Sequence, residues 1–373
     1  MIGWREGRVV DVVREWDGTV ELEVDVDDPA GRGRTRCRAL AYPALVGSPE
    51  TGDLVLLNTA ALEAGLGTGG HALVVALPHR LPVTEALSQG HLVKARYTPL
   101  QAMVLGVDEQ QSPHHDVLRE ADDLLGMPVV VADLHSALPA VLAGLRAERA
   151  GLTVAYVMTD GACLPAWYSR TVSELRAAGW LQSCITVGQA FGGDLEAVTV
   201  HTGLLAARYV VGADVAVVSQ GPGNLGSGTR WGFSGVAAGE AVNAVATLRG
   251  RPVACLRVSQ ADPRPRHQGL SHHSRTAFGR VALVAADLAV PVLPGDFGAL
   301  VRRQALELAV PTGRHRLVDV EVDGLAEALA DGPVRLSSMG RGLAEDPALF
   351  LSAAAAGRHA ARLTSEGHVD SAT

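Results

Sequence analysis

A repeating rhythm over the larger part of the chain constrains its fold most strongly. From residue 91 to residue 363, apolar runs alternate with polar loops and amphipathic stretches of helical spacing. The runs are rich in Val, Ile, Leu and Ala, and read MVLGVD, PVVVAD, LTVAYVMTD, CITVG, ADVAVVS, PVACLRVS and LVDVEV. Near-continuous apolar strands between helices are typical of a parallel sheet covered on both faces. The sequence therefore predicts a doubly wound, mainly parallel, Rossmann-like α/β domain over residues 91–363.

Residues 1–80 show a different pattern, in which short β-forming runs alternate with turn signals. The pair Asp17-Gly18 separates the first two runs, and Asp-Gly is a strong signal for a two-residue hairpin turn. Residues 1–80 are therefore predicted to form a small antiparallel β-sheet or β-barrel domain. The segment from Pro78 to Gly90 is predicted to be a linker, and the polar residues 364–373 are predicted to be a disordered tail.

Charge and composition exclude several classes of partner. The formal net charge is −8 and aromatic residues make up 4% of the chain, which argues against binding to nucleic acid. The amino-terminal segment is charged where a signal peptide is apolar, and Asp287 and Pro291 interrupt a later apolar stretch. Four widely separated cysteines predict reduced thiols. We therefore expect a cytoplasmic protein with no membrane partner; association into a homo-oligomer stays open.

Polar residues follow most of the predicted parallel strands. Ligands of doubly wound sheets bind outside the carboxyl ends of the strands, so these residues are the first candidates for a site. They are Asp108, Glu109, Asp133, His135, Thr159, Asp160, Gln189, Ser219, Gln220, Ser259, Gln260 and Asp262. Histidines are also concentrated in these loops or in the elements that they open: His114, His115, His135, His201, His267, His272 and His273.

One histidine pair lies where a helix is predicted to begin. Ser112 as the cap and Pro113 as the first helical residue place His114 and His115 in the first turn. The positive end of the helix dipole disfavours the imidazolium form. Both rings are therefore predicted to stay neutral, as a metal ligand or a neutral hydrogen-bond donor must.

Two further segments suit a site of mixed histidine and aspartate ligands. Asp133 and His135 share one strand exit, and His272 and His273 lie together in the segment QGLSHHSRT. Such ligands suit a divalent transition metal such as Zn, Mn or Fe. The predicted metal ligands are His114, His115, Asp133, His135 and His272. The alternative is that these groups hydrogen-bond one another and cap helices without a metal.

A glycine-rich segment, SQGPGNLGSGTRWGFSG, follows another predicted strand. Such turns let backbone N–H groups approach a phosphate or carboxylate. As a dinucleotide site the pattern is poor, because the acidic residue after the next strand, Asp262, lies well beyond the usual spacing of about 20 residues. An anion-binding loop and a tight connection without a ligand both remain open. The predicted anion-binding residues here are Gly221, Gly223, Gly226, Ser227 and Thr229.

Lys94 is the only lysine among 32 basic residues. A chain that uses arginine everywhere else has reason to keep lysine where a compact ammonium or a neutral amine is needed. Lys94 is therefore predicted to bind the anion in the cleft beside the Gly221–Thr229 loop, with Arg96 and Arg275 as companions. The alternative is a single surface residue without a role.

Four long motifs also carry a family resemblance. They read VMTDGACLP, GQAFGGDLEAV, GPGNLGSGT and RVSQADPRPRHQGLSHHS, and they are similar to the hallmarks of the bacterial family DUF3866 over the run from about Lys94 to Gly279. The family has no assigned activity, so the resemblance implies no mechanism. The candidate site residues therefore depend on the residue patterns alone.

Two hypotheses of different classes follow. The first is an enzyme that acts on a small anionic metabolite, such as a phosphorylated one, by metal-assisted hydrolysis or group transfer. Its predicted catalytic residues are Asp133, His135, Asp160, His272 and His273. The second hypothesis is a non-catalytic ligand-binding sensor or regulatory module that holds its ligand in the glycine-rich loop.

Overall fold

The computed structural model describes residues 2–28, 33–82, 90–311 and 313–366, which fold into two compact units. The first unit contains the described residues up to Val104 together with Trp167–Ser173. The second contains those of Leu105–Ala166 and those from Glu174 onward. Most of the predicted linker, residues 83–89, lies outside the described residues. Within the described ranges, no helix is both long and apolar enough to cross a membrane.

The first unit is built on a closed five-stranded barrel with the strand order β1-β2-β3-β5-β4. Its strands are β1 (Trp4–Trp16), β2 (Thr19–Asp27), β3 (Arg34–Ala41), β4 (Leu54–Asn58) and β5 (His71–Ala76), with short helices α1 (Pro43–Val46) and α2 (Ala60–Glu63). The predicted barrel is confirmed. It is not wholly antiparallel, because β3 and β5 pair in parallel. A ring of five strands cannot alternate direction throughout, so closure requires a parallel pair.

The outer face of the barrel carries one carboxylate that is shielded from solvent. Glu21 on β2 is 5% exposed and alternates with Val20 and Leu22, which belong to the apolar core of the barrel. Its Oε1 lies 2.9 Å from His71 Nε2 and 3.3 Å from Arg38 Nη1. Burial by itself would raise the pKa of Glu21, but the hydrogen bond to His71 and the nearby positive charges lower it below its ordinary value. The carboxylate therefore stays charged on the outside of the barrel wall.

A short hairpin completes the first unit. Strands β6 (Leu92–Lys94) and β7 (Ala102–Val104) pair antiparallel. The prediction that MVLGVD supplies a strand of the parallel sheet is therefore wrong for Met103 and Val104, whereas Gly106 forms a single parallel bridge with Glu196 of that sheet. Met103 is 44% exposed, and a hairpin tolerates such exposure whereas a parallel strand covered on both faces does not.

The second unit is centred on an eight-stranded sheet in which every pair is parallel, with the order β11-β10-β9-β12-β8-β13-β16-β17. The predicted doubly wound α/β fold is confirmed. Two of its strands, β11 and β16, were not predicted, because the first is very short and the second contains Pro291. The sheet strands are β8 (Pro128–Val131), β9 (Val154–Thr159), β10 (Ser183–Thr186), β11 (Leu195–Glu196), β12 (Val215–Gln220), β13 (Arg251–Cys255), β16 (Asp287–Val292) and β17 (Arg316–Glu321). A separate antiparallel pair consists of β14 (Val258–Ser259) and β15 (Gly269–Leu270).

Helices follow the strands as the rhythm predicts. They are α3 (His115–Leu118), α4 (Leu138–Glu148), α5 (Arg170–Ala177), α6 (Val200–Tyr209), α7 (Ala238–Thr247), α8 (His272–Thr276), α9 (Gly295–Ala309), α10 (Leu325–Ala330) and α11 (Pro347–Glu366). Residues 364–366, predicted to be the start of a disordered tail, are the last residues of α11, and residues 367–373 lie outside the described part of the chain.

Helix α11 packs closely against α4 and against strands β8, β13 and β16. A Cβ atom at Gly144 would overlap the carbonyl group of Ala354, and one at Gly357 would overlap that of Val141. The two helix backbones therefore approach each other at a distance that only glycine permits. The core formed with α6, α7 and α9 includes Val129, Val131 and Val218, each at most 1% exposed. This packing fixes the strand ends that carry the candidate site.

Candidate functional site

Neighbouring strands bring the predicted site residues to one edge of the sheet. Strands β9, β12 and β8 lie side by side and pair in parallel, so their carboxyl ends share an edge. Asp160 follows β9, Ser219 lies near the end of β12, and Asp133 and His135 follow β8. The single edge that the sequence predicts is therefore observed.

A buried charged pair lies at this edge. His273 Nδ1, on α8, is 2.9 Å from Asp133 Oδ2, and Arg257 Nη1 is 3.1 Å from the same nitrogen. All three residues are at most 6% exposed. His273 Nδ1 donates to Asp133 only when it carries a proton, and it accepts from Arg257, which can only donate, only when it does not. The two contacts therefore belong to different protonation states of this nitrogen; with the proton on Nδ1, the hydrogen bond to Asp133 is made and Nε2 keeps its lone pair. Burial alone would raise the pKa of Asp133, but the His273 hydrogen bond and the Arg257 charge lower it.

Two more histidine rings lie close to His273. The rings of His267, His272 and His273 each offer a nitrogen, and these atoms all lie within 4.8 Å of one another. The ring centroids are 4.5–5.0 Å apart. Phe233 stacks on His273 with centroids 3.9 Å apart and an interplanar angle of 6°. Three imidazoles thus converge in a small volume that an aromatic face closes on one side.

The chain positions the three rings by local hydrogen bonds. Ser271 caps α8 by accepting a hydrogen bond from His273 N, and its Oγ lies 2.7 Å from His267 Nδ1. His267 ends a short 3₁₀ turn, and His272 and His273 begin α8. One hydroxyl group therefore connects the turn that carries His267 to the helix that carries the other two rings.

The surroundings keep two of the rings neutral. Burial, together with the positive charges of Arg257 and Arg264, lowers the pKa of His267 to about 3. Burial and the neighbouring His273 and Arg266 lower the pKa of His272 to about 4. Neutral imidazole is the form that ligates metals.

The cluster has the composition of a three-histidine metal site. Imidazole suits Zn, Cu, Fe and Ni, and three protein ligands leave a fourth tetrahedral position for water or substrate. Nitrogens bound to one Zn²⁺ at 2.0–2.1 Å stand roughly 3.4 Å apart, so binding would draw the rings together by about an ångström. Asp133 would then support His273 from outside the coordination sphere, as carboxylates commonly do for metal-bound histidine.

A buried carboxylate fastens the loop that carries His267. Asp262 is 0% exposed, and its carboxylate binds Arg264 Nη2 at 2.7 Å and Arg341 Nη2 at 3.0 Å. The hydrogen bonds from Arg264 are the main cause that holds the pKa of Asp262 well below its ordinary range. The loop is therefore held by charge-assisted hydrogen bonds.

A cleft of about 600 Å³ opens beside the cluster. Its lining residues are Gly228, Arg230, Arg266, His272, Arg275, Thr276, Gly279, Arg280, Glu307, Leu308 and Pro311. Arg275 Nη1 lies 3.6 Å from a Glu307 carboxylate oxygen. Within the part of the chain that the structure describes, Arg230, Arg266 and Arg280 form no ion pair. We call this cavity the basic cleft; His272 belongs to both the cleft and the histidine cluster.

The glycine-rich segment forms a small closed loop. Ser227 N donates to Gly232 O at 2.7 Å, and Gly226 and Phe233 form a β-bridge. The hydroxyls of Ser227 and Thr229 lie 3.2 Å from each other. Among the described residues of this loop, Gly228 and Arg230 line the basic cleft. Anion binding by the loop's predicted glycines and hydroxyls therefore stays a prediction.

Four of the five predicted metal ligands lie outside the cluster. His114 is the residue before α3, and His115 Nδ1 lies 2.8 Å from the backbone oxygen of Asp108. His135 Nδ1 lies 3.0 Å from Tyr156 Oη, and burial lowers the pKa of His135 to about 4. Asp133 contacts His273 from outside the cluster, so the cluster contains only His272 from the predicted ligand set.

Two other predicted residues have separate surroundings. The Asp160 carboxylate accepts a hydrogen bond from Gln189 N at 2.8 Å, which orders the loop after β10. Lys94 is 2% exposed, so it is not a solvated surface residue. It belongs to the first unit whereas the glycine-rich loop belongs to the second, and its predicted role in anion binding stays a prediction.

Sequence reasoning missed His267 as a ligand and three arginines of the cleft, Arg230, Arg266 and Arg280; it did single out Arg275. The sequence feature that could have revealed them is the segment RPRHQGLSHHSR, in which histidines and arginines lie close together. The spacing of five residues between His267 and His272 matches no single helix or strand face, because a turn and a strand separate them. Pairs of adjacent histidines drew the prediction to His114 and His115 instead.

The fold and the site together define an α/β protein with an amino-terminal barrel and a buried His–Asp–Arg site beside a basic cleft. The chain belongs to the family described as a protein of unknown function, DUF3866, whose model matches residues 38–357. This membership confirms the resemblance seen in the four motifs. No curated protein and no solved structure matches the chain.

Proposed function

We propose that this protein is a metal-dependent enzyme that acts on a small anionic metabolite by hydrolysis or group transfer. One observation carries the proposal: His272 belongs both to a cluster of three converging imidazoles and to the lining of an arginine-rich cleft. A metal site and an anion site thus share a residue. Catalytic sites commonly combine such groups with a concave pocket.

Each part of this arrangement has a chemical task. A divalent metal held by His267, His272 and His273 would supply a Lewis acid and would lower the pKa of a bound water. His267 and His272 are neutral at physiological pH and able to donate lone pairs. Asp133 fixes the ring of His273 and stays charged. The arginines of the basic cleft hold the anion next to the cluster and stabilise charge that develops on it.

Metal binding is tested first. Chelator-treated protein is titrated with Zn²⁺ and, for its visible spectrum, with Co²⁺. We expect one equivalent to bind and the Co²⁺ spectrum to show tetrahedral coordination. His267→Gln and His272→Gln should each weaken binding by a hundredfold or more, whereas His201→Gln should not change it, because His201 is exposed on α6 and outside the cluster.

Turnover is tested second, with a panel of phosphate and carboxylate esters. We expect activity that Zn²⁺, Mn²⁺ or Fe²⁺ restores to chelated protein and that His267→Gln abolishes. Protein that binds no metal contradicts the metal site. Protein that binds metal and a small anion but turns over no substrate favours the sensor class over the enzyme class.

A further inference from the structure

The basic cleft carries more positive charge than its own acidic residue can neutralise. Arg275 is paired with Glu307 at 3.6 Å. Arg230, Arg266 and Arg280 are exposed and form no ion pair with any described acidic residue. Three uncompensated guanidinium groups therefore face one cavity in a chain whose net charge is −8. A local concentration of like charge that opposes the net charge of the chain indicates a site for an anion.

We infer that the basic cleft binds the diphosphate group of a small-molecule substrate. A carboxylate would neutralise one of the three charges, and a phosphate monoester brings about −1.5 to −2. A diphosphate, with two linked phosphoryl groups, comes close to neutralising all three. Guanidinium forks also match phosphate oxygens in bidentate pairs. This inference rests on the proposed function, since it names the substrate class of the same site.

The position of the cleft places the diphosphate next to the histidine cluster. Arg266 and His272 both line the cleft, so the arginine lies in the same cavity as one ring of the cluster. Gly228 adopts a positive φ of 81°, and a Cβ there would lie 3.8 Å from Arg266 Nη2. The closed loop and Arg266 thus lie side by side at one wall of the cleft. A phosphoryl group held here would lie in the cavity that His272 shares with the histidine cluster.

The size and the far wall of the cleft leave room for an organic group. A volume of about 600 Å³ falls within the usual range of small-molecule sites and exceeds the need of a diphosphate alone. Leu308 and Pro311 supply apolar surface in the same lining. A long polyanion such as nucleic acid would also meet the net negative charge of the rest of the chain, which disfavours it.

The probe for this inference is methylenediphosphonate, which retains the two phosphoryl groups and resists hydrolysis. Binding is measured by calorimetry on chelated and on Zn²⁺-loaded protein. Orthophosphate tests for charge, and citrate, a carboxylate trianion, tests for phosphate geometry. We expect methylenediphosphonate to bind at least tenfold more tightly than either.

Single substitutions then assign the binding to the cleft. Arg266→Gln and Arg280→Gln should each weaken methylenediphosphonate binding about tenfold to a hundredfold, the value of one charge-assisted hydrogen-bonded pair. The matched control is Arg335→Gln, an exposed arginine outside the cleft lining, which should leave binding within twofold.

The outcomes separate this inference from the proposed function. If the parent protein binds no metal, and methylenediphosphonate still binds tightly to both the parent and His267→Gln, the diphosphate site is supported and the enzyme is contradicted. Absence of binding in both chelated and Zn²⁺-loaded protein would overturn the inference, even if the metal site is present. Equal affinity for citrate, or an equal loss in Arg335→Gln, would overturn it as well.

Discussion

The second unit contains two His–Asp pairs, one buried and one partly buried, that differ in their surroundings. His273 and Asp133 lie 2.9 Å apart beyond the carboxyl end of β8. His359 on α11 and Asp287, the first residue of β16, lie 2.7 Å apart at the opposite end of the strands. Both aspartates have a lowered pKa despite their burial. The pairs therefore use the same chemistry at opposite edges of one parallel sheet.

The arginines beside the two pairs differ in how far they are exposed to solvent. Arg316, the cationic partner of Asp287, has a side chain that is 62% exposed, so water can solvate it. Arg257, beside Asp133, has a side chain that is 6% exposed. Two further imidazoles converge on His273, while the described residues give His359 no such group. The Asp287 pair fastens α11 to the sheet. The Asp133 pair and its buried arginine adjoin the histidine cluster of the proposed site.

The largest expected effect is on stability. Asp133→Asn should lower the free energy of unfolding by about 3 kcal/mol, because buried Arg257 loses one of its two carboxylate neighbours and keeps only Asp262, at 4.0 Å. Asp287→Asn should cost no more than about 2 kcal/mol, since Arg316 turns to solvent. Urea unfolding followed by circular dichroism compares the two variants. Equal losses would show that the two pairs are energetically alike.

The next largest effect is on Zn²⁺ affinity, which substitution at one of the two pairs should lower and substitution at the other should not. Asp133→Asn keeps the shape of the side chain but weakens its support of His273, and a loss of about 10–100-fold in Zn²⁺ affinity is expected. Asp287→Asn should bind Zn²⁺ like the parent. Competition with a coloured chelator measures both. An unchanged affinity in Asp133→Asn would remove Asp133 from the metal site.

The pH dependence of stability sharpens the comparison at the structural pair. Hydrogen bonds from His359 and Arg316 outweigh burial and lower the pKa of Asp287 to about 2. A depressed carboxyl pKa stabilises the fold above the unfolded-state value and loses that contribution as pH falls from about 4 to about 2. The parent should therefore lose about 2 kcal/mol more than Asp287→Asn between about pH 5 and pH 2. Parallel curves for the two proteins would contradict this assignment.

The smallest effect concerns two helix caps. Ser271 caps α8 and Thr199 caps α6, each through its side-chain oxygen. Replacement by Ala should cost about 1 kcal/mol in each case. Only Ser271→Ala should also weaken Zn²⁺ binding, because Ser271 Oγ lies 2.7 Å from His267 Nδ1. Equal Zn²⁺ affinities in the two variants would show that this hydroxyl has a capping role alone.

Local patterns predicted the elements better than they predicted the site. The Asp17-Gly18 turn and the runs around it predict the first barrel hairpin, because turn chemistry is local. Local patterns gave wrong predictions in two places. The apolar run at Met103 forms a hairpin, and Asp287–Val292 is a strand that was not predicted because it contains Pro291. Asp133 and His273 were both predicted site residues, but nothing in the sequence paired them.

What the sequence alone determined was the architecture and the edge of the sheet where a ligand can bind. Apolar runs separated by helices require a covered parallel sheet, and parallel strands place all their carboxyl ends together. Only the tertiary structure decided which histidines meet. His273 and Asp133 are 140 residues apart in sequence, and the free cations of the basic cleft come from separate loops and helices. Convergence of this kind depends on how elements pack, because hydrophobic periodicity specifies a face of each element and not the partner that it meets.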